Sequence, residues 1–270
     1  MNPVIVVMGA EGVLGRYACR HFSRLGWEVV AVGRRREGVA CDDGDGMYLE
    51  WDGKNVGAWA MALEGAEAVV NLADAEDTDA RLESTRALGQ AIAGCRVAPR
   101  AWLNASTVDW YGEAADRIQD EWSGEPGEST ASRAALAWED AFFGALVPPR
   151  TRKVAMRLGR VLVQEADAGK ISGLAADEAW LHMEDFLRAL EFLLDDAFFS
   201  GAANVTAPNG PEGESCVRPL RLADEGFVWR WGRPAEALSD LAVRPGIDSF
   251  FESMVDRPVG RGNGVPAGIF

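Results

Sequence analysis

A glycine loop directly after an apolar, valine-rich run is the feature that most constrains the fold of this chain. The run covers residues 3–8, and the loop reads Gly9-Ala10-Glu11-Gly12-Val13-Leu14-Gly15. A short apolar run before a glycine turn predicts a strand buried on both faces, and we expect a helix from about Gly12 to Leu25, ended by Gly26. Glycines at this spacing permit a tight turn, close approach of the backbone to a pyrophosphate, and close helix–strand packing.

The start of this helix offers unpaired N–H groups and a partial positive charge to an anion. The sequence therefore predicts a dinucleotide-binding loop. Its expected contacts are Gly9, Glu11, Gly12, Val13, Leu14 and Gly15.

Strand and helix patterns alternate along the rest of the chain. Further strands are predicted at 27–33, 47–51, 67–72, 100–106, 152–158 and 203–206, and helices at 79–93, 132–146 and 183–195. Because right-handed crossovers place such strands side by side, the pattern predicts an α/β fold, a Rossmann-type doubly wound parallel sheet. We expect residues 1–162 to form the NAD(P)-binding domain and residues 163–270 a small C-terminal substrate or lid region interleaved with it.

The end of the second predicted strand indicates which dinucleotide is preferred. NAD-binding Rossmann domains carry an acidic residue there for the ribose 2′-hydroxyl, whereas this chain has Arg34, Arg35 and Arg36. Arginine binds phosphate through two parallel hydrogen bonds. The sequence therefore favours NADP(H), with NAD(H) less favoured. A solvated basic turn is the alternative.

Composition excludes several classes of partner. The chain has 27 basic and 42 acidic residues, a net charge of −15, which opposes nucleic-acid binding. It has no apolar run long enough for a membrane span, and its four cysteines and two histidines do not form a metal-binding pattern. We expect a soluble, cytoplasmic protein without a metal that acts on a small molecule and forms a possible homodimer.

A set of short motifs, in order along the chain, carries a family resemblance. Besides the glycine loop, these are Trp51-Asp52, Asn71-Leu72-Ala73, Ala105-Ser106-Thr107, Tyr111-Gly112, Trp138-Glu139, Met156-Arg157-Leu158-Gly159 and Leu181-His182-Met183-Glu184-Asp185. The set resembles the extended and atypical short-chain dehydrogenase/reductases, in particular the NAD-dependent epimerase/dehydratase-like subgroup. The resemblance implies that Asp52 lies near the adenine, that Leu72 and Ala73 flank the pyrophosphate and ribose, and that Ser106 or Thr107 and Leu158 lie near the nicotinamide.

The usual catalytic pair of that superfamily is missing. Active members use Tyr-x-x-x-Lys on the helix predicted at 132–146, but counting back from Glu139 places Ala131 and Ala135 there. A positioned acid/base contributes about 10²–10⁴ in rate. Ser106, Thr107 and Tyr111 are the candidate catalytic residues, with Glu113 as another possible proton donor and a packing role as the alternative for Tyr111.

These observations predict an NADP(H)-binding oxidoreductase or epimerase for a small carbonyl or sugar-nucleotide-like substrate. The alternative is a non-catalytic NADP(H)-binding sensor or protein-interaction module. His182 with Asp185 is interpreted as a helix cap and surface contact rather than a metal site or an acid/base pair. Four tryptophans, interpreted as core anchors rather than a pocket, are Trp110, Trp180, Trp229 and Trp231.

Overall fold

The computed structural model describes most of the chain. The described residues are 2–34, 47–73, 78–112, 117–163, 174, 178–210, 213–214, 216–244 and 246–255. The predicted contacts Arg35 and Arg36 and the possible proton donor Glu113 lie outside these ranges.

A parallel sheet of seven strands forms the centre of the fold, in the order β3-β2-β1-β4-β5-β6-β9. The strands along the chain are β1 (Val4–Met8), β2 (Glu28–Gly33), β3 (Met47–Glu50), β4 (Ala68–Asn71), β5 (Ala101–Thr107), β6 (Arg152–Leu158), β7 (Arg160–Leu162), β8 (Trp180–His182), β9 (Gly201–Val205), β10 (Asn209–Gly210) and β11 (Gly213–Glu214). Strands β7 and β8 form a separate parallel pair, and β10 and β11 a short antiparallel one.

Helices cover both faces of the sheet. They are α1 (Val13–Arg24), α2 (Thr78–Ala93), α3 (Thr130–Gly144), α4 (Met183–Asp195), α5 (Leu220–Asp224), α6 (Pro234–Ala242) and α7 (Gly246–Val255), with 3-10 helices at Ala58–Leu63 and Val108–Tyr111. Alternate residues of β1 enter two different cores, since Ile5 packs on the α1, α4 and α7 side and Val6 on the α2 and α3 side. The predicted α/β fold class is confirmed.

Several predicted elements agree closely with the observed ones. Strand β6 and helix α4 have the predicted bounds, and α1 ends at Arg24, just before the predicted terminator Gly26, whose φ of 81° is left-handed. The N–H groups of Gly26 and Trp27 donate to the carbonyls of Ser23 and Phe22, which closes the helix end.

The region after residue 162 contributes directly to the sheet. Strand β9 pairs with β6 from Val154 to Leu158, so the seventh strand comes from the C-terminal part of the chain. The sequence did not predict β7, β8 or the helices α5 to α7. No helix within the described ranges has the length and apolar character needed to cross a membrane.

Candidate functional site

The glycine loop lies at the carboxyl edge of the sheet, where the strand order reverses between β1 and β4. Gly9 has a φ of 73°, and its N–H donates to the carbonyl of Val32 at 2.8 Å. A Cβ atom at Gly9 would lie 2.5 Å from the backbone nitrogen of Ala73, so only glycine fits. The loop is therefore packed against the end of β4, and Leu72 and Ala73 lie beside it.

The same loop brings the start of α1 to the sheet edge. Gly12 precedes the helix, and a Cβ atom at Gly15 would lie 2.1 Å from the carbonyl oxygen of Gly9. No side chain caps the helix at Gly12, and its first turn contains no acidic residue. The backbone amides that begin at Val13 and Leu14 thus form a positive helix end facing the crevice of a doubly wound sheet, the usual place for a ligand.

Arg34 follows β2 directly and is paired with the glycine loop. Its backbone N–H donates to Glu11 Oε1 at 3.1 Å, and its Nε lies 3.6 Å from the same oxygen. The Arg34 side chain is 49% exposed, so part of it faces solvent at this edge of the sheet. The sequence indicated both residues as cofactor contacts but not their pairing.

Asp52 shapes the turn after β3. Its Oδ1 accepts hydrogen bonds from the backbone N–H groups of Lys54 and Asn55, and its Oδ2 accepts one from the Asn55 side chain at 2.7 Å. These bonds, led by the one from the Asn55 backbone, lower the pKa of Asp52 to about 2. The carboxylate is engaged within its own turn, and its contact with an adenine stays a prediction.

A buried polar cluster lies where β5 and β6 end. The Ser106 hydroxyl donates to Glu139 Oε1 at 2.7 Å, and Arg157 binds both oxygens of Glu139 at 2.9 and 2.8 Å. The Arg157 guanidinium stacks on the Trp110 ring, 3.5 Å from its centroid. Ser106 is only 4% exposed. The cluster holds Ser106 firmly and directs its proton toward Glu139.

Tyr111 is committed to the same cluster rather than to the crevice. Its side chain is buried, its hydroxyl donates to Asn204 Oδ1 at 2.9 Å, and its ring lies under the Arg157 guanidinium. Burial raises the pKa of Tyr111 to about 12, although Arg157 and Asn204 oppose the shift. The environment of Tyr111 favours a packing role over proton transfer.

Thr107 and Leu158 lie at the ends of neighbouring strands. They are partners in the register of β5 and β6. The Thr107 hydroxyl caps the 3-10 helix that follows, since it accepts the N–H of Asp109 at 3.2 Å and lies 3.0 Å from Asp109 Oδ2. Both residues are partly exposed, as a contact with a ligand requires.

Helix α3 presents alanines where the usual catalytic pair would stand. Ala131 is exposed and Ala135 is fully buried, while Glu139, one further turn along, is bound in the polar cluster. The helix therefore contributes a structural carboxylate to the site and no acid/base pair.

Sequence reasoning missed several residues that build the site. Glu139 and Arg157 were noted only as marks of resemblance, and Asn204 and Glu121 were not noted. Glu121 accepts the backbone N–H groups of Asn204 at 2.8 Å and Leu220 at 3.0 Å. Burial raises the pKa of Glu121. The one available signal was an arginine inside the apolar pattern of β6, because a buried arginine requires a partner.

The cap interpretation of His182 is confirmed, whereas the expected surface contact is wrong, because His182 and Asp185 are both fully buried. His182 Nδ1 accepts the N–H of Glu184 at 3.0 Å at the start of α4, and Asp185 Oδ1 and Oδ2 accept the N–H groups of Arg230 and Trp231. Trp180 is fully buried. Three of the four tryptophans donate the indole N–H to another residue: Trp180 to Asn209 O, Trp229 to Thr206 O and Trp231 to Glu184 Oε2.

Comparison with known sequences supports the family resemblance. The sequence pattern of the NAD dependent epimerase/dehydratase family matches residues 5–133. An epimerase family protein of Mycobacterium leprae is 26% identical over 234 residues, which cover 76% of this chain and 72% of that protein. The predicted resemblance is confirmed.

Solved structures show the same fold. The human epimerase family protein SDR39U1, crystallised with NADPH, has a TM-score of 0.71 at 21% identity. The aligned region covers 88% of this chain and 99% of the human chain. The Bordetella bronchiseptica enzyme WbmG, in complex with NAD, has a TM-score of 0.62 at 20% identity. The aligned region covers 78% of this chain and 74% of the WbmG chain. At these identities the likeness establishes the fold.

Proposed function

Because this chain carries the sequence pattern of the NAD dependent epimerase/dehydratase family over residues 5–133, we propose that it binds a nicotinamide dinucleotide, NADP(H) in preference to NAD(H). The uncapped start of α1, which the glycine loop holds at the reversal of strand order, is the observation that carries this proposal. The pyrophosphate would accept hydrogen bonds from the amides of Val13 and Leu14. The NADPH and NAD in the two structural relatives support a dinucleotide of this class.

The preference for NADP(H) rests on Arg34. Its half-exposed guanidinium stands directly after β2, where a 2′-phosphate would lie. Calorimetric titration with NADPH and NADH tests this. We expect Arg34→Gln to weaken NADPH binding by roughly ten- to a hundredfold, since hydrogen bonds to charged groups contribute about 1.5–3 kcal/mol.

The matched control for Arg34→Gln is Arg96→Gln. Arg96 is also exposed and also paired with a glutamate, Glu64, but it precedes β5 at the opposite edge of the sheet. Arg96→Gln should leave the affinities for NADPH and NADH unchanged. Equal affinities of the wild type for NADPH and NADH would contradict the preference.

The first candidate activity is reduction or epimerisation of a small carbonyl or sugar-nucleotide-like substrate. Ser106 and Thr107 end β5 beside Leu158, where a nicotinamide ring would lie, so their hydroxyls could bind a carbonyl oxygen. Ser106 would have to turn its proton away from Glu139 to do so. A carbonyl panel with NADPH, followed by absorbance at the nicotinamide band, tests this activity, and Ser106→Ala should abolish any turnover found.

The second candidate function is a non-catalytic NADP(H)-binding sensor. The burial of Tyr111 and the bond from its hydroxyl to Asn204 favour it, because the tyrosine that the sequence offers as a proton donor is engaged within the protein. Thermal unfolding separates the two candidates. Stabilisation by NADPH without oxidation on any carbonyl supports the sensor, turnover supports the enzyme, and no stabilisation contradicts dinucleotide binding itself.

A further inference from the structure

A carboxylate from the glycine loop lies beside the end of β2. Glu11 belongs to the glycine loop, yet its Oε2 lies 1.9 Å from the position that a Cβ atom at Gly33 would take. Any side chain at Gly33, the last residue of β2, would therefore displace the Glu11 carboxylate. The loop thus supplies an acid where many Rossmann domains carry one on the strand itself.

One oxygen of this carboxylate has a free hydrogen-bonding capacity. Oε1 accepts the backbone N–H of Arg34 and faces its Nε, whereas Oε2 is buried and has no hydrogen-bond partner within the described part of the chain. A buried acceptor without a donor costs free energy, so the partly exposed Glu11 side chain would gain by turning Oε2 toward a ligand hydroxyl in the crevice.

The two dinucleotides would meet this carboxylate differently. The 2′-hydroxyl of NAD(H) is a donor and can bond to Oε2. The 2′-phosphate of NADP(H) has only acceptors and negative charge there, so Glu11 repels it and competes with it for Arg34. Of these two residues, Arg34 therefore favours NADP(H) and Glu11 favours NAD(H).

We propose that Glu11 is a specificity-determining residue that accepts the ribose 2′-hydroxyl of NAD(H) and restrains the preference for NADP(H) that Arg34 gives. This inference rests on the proposed dinucleotide site. It implies that the wild type binds both cofactors, with the ratio of their affinities set by opposing charges at positions 11 and 34.

Titration of NADPH and NADH into Glu11→Gln tests the proposal. Glutamine keeps the shape of the side chain and an oxygen for the Arg34 N–H but loses the charge. We expect the ratio of NADPH to NADH affinity to rise about tenfold over the wild type, because one repulsive charge is removed from the phosphate and the 2′-hydroxyl loses its charged acceptor. A ratio within twofold of the wild type would overturn the proposal.

Two further variants decide between a direct and an indirect effect. In an Arg34→Gln background, Glu11→Gln should still raise the ratio, because the carboxylate acts on the 2′ group itself. Loss of the effect in that background would show that Glu11 only occupies Arg34, and the proposed contact with the ribose would be wrong.

The control for the loss of charge is Glu64→Gln. Glu64 likewise accepts a backbone N–H from the arginine with which it pairs, Arg96, but it lies before β4 at the far edge of the sheet. It should leave the ratio unchanged. A wild type that binds neither NADPH nor NADH would instead refute the dinucleotide site, so the two failures are distinguishable.

Discussion

Replacement of Gly9 by alanine should damage both the stability of the fold and the binding of a dinucleotide. The backbone of Gly9 has a φ of 73°, which costs an L-residue about 1–2 kcal/mol. The added methyl group would also lie 2.5 Å from Ala73 N and Cα, which are backbone atoms that cannot turn aside. Overpacking of this kind costs about 1–3 kcal/mol, so the total expected loss in free energy of unfolding is about 2–5 kcal/mol.

Gly26 provides a matched control, because it has the same backbone requirement without the contact. Its φ is 81°, and no atom lies within 4 Å of the position of an added Cβ. Gly26→Ala should lose only the conformational part, about 1–2 kcal/mol. The difference between the variants, about 1–3 kcal/mol, therefore measures the contact between the loop and the end of β4.

Urea unfolding followed by tryptophan fluorescence gives both free energies, and calorimetric titration gives the NADPH affinity of each variant. Gly26→Ala should bind NADPH as the wild type does, since α1 ends there at the opposite end from the loop. Equal losses of stability in the two variants would refute the argument that the close approach to Ala73 fixes glycine at position 9.

Two further predictions concern the buried polar cluster. Glu139→Leu should lower the free energy of unfolding by about 3–5 kcal/mol, because it leaves the buried Arg157 charge without its partner, and Glu139→Leu combined with Arg157→Met should recover part of that loss in urea unfolding. Tyr111→Phe should cost about 1–2 kcal/mol at neutral pH through the lost bond to Asn204. Because the pKa of Tyr111 is raised from 10.0 to about 12, the stability it contributes is present below pH 10 and lost as the pH rises to 12, and thermal unfolding of Tyr111→Phe should lack that decline.

The sheet could be predicted from sequence because its central strands, such as β1 and β4, are buried on both faces. Helix α4 carries a long apolar pattern, and its observed bounds, like those of β6, equal the predicted ones. Strands β7 and β8 have three residues each, too few to display a period, and α5 to α7 are fixed by contacts with distant parts of the chain. The local sequence pattern therefore predicts the central sheet but not the small elements that pack around it.

The candidate site was predictable only in part, for a related reason. Glycine spacing locates the loop, since the requirement for each glycine is local. The pairs that determine the chemistry join residues far apart in sequence, with Glu11 and Arg34 separated by 23 positions and Ser106 and Glu139 by 33. Neither pair leaves a signal in a single sequence. The acid that the sequence lacks at the end of β2 is present in space at Glu11, and we expect it to weaken the preference for NADP(H) that the arginines indicate.

The missing catalytic pair favours the non-catalytic sensor, whereas the intact polar cluster favours the enzyme. Ala131 and Ala135 remove the usual proton donor, but Glu139 on the same helix still bonds to Ser106 and Arg157, so the carboxyl edge of the sheet is organised before any ligand binds. The glycine loop shares none of these bonds. On the proposed function, binding of the pyrophosphate would therefore depend on the start of α1, and any proton transfer would depend on the end of β5.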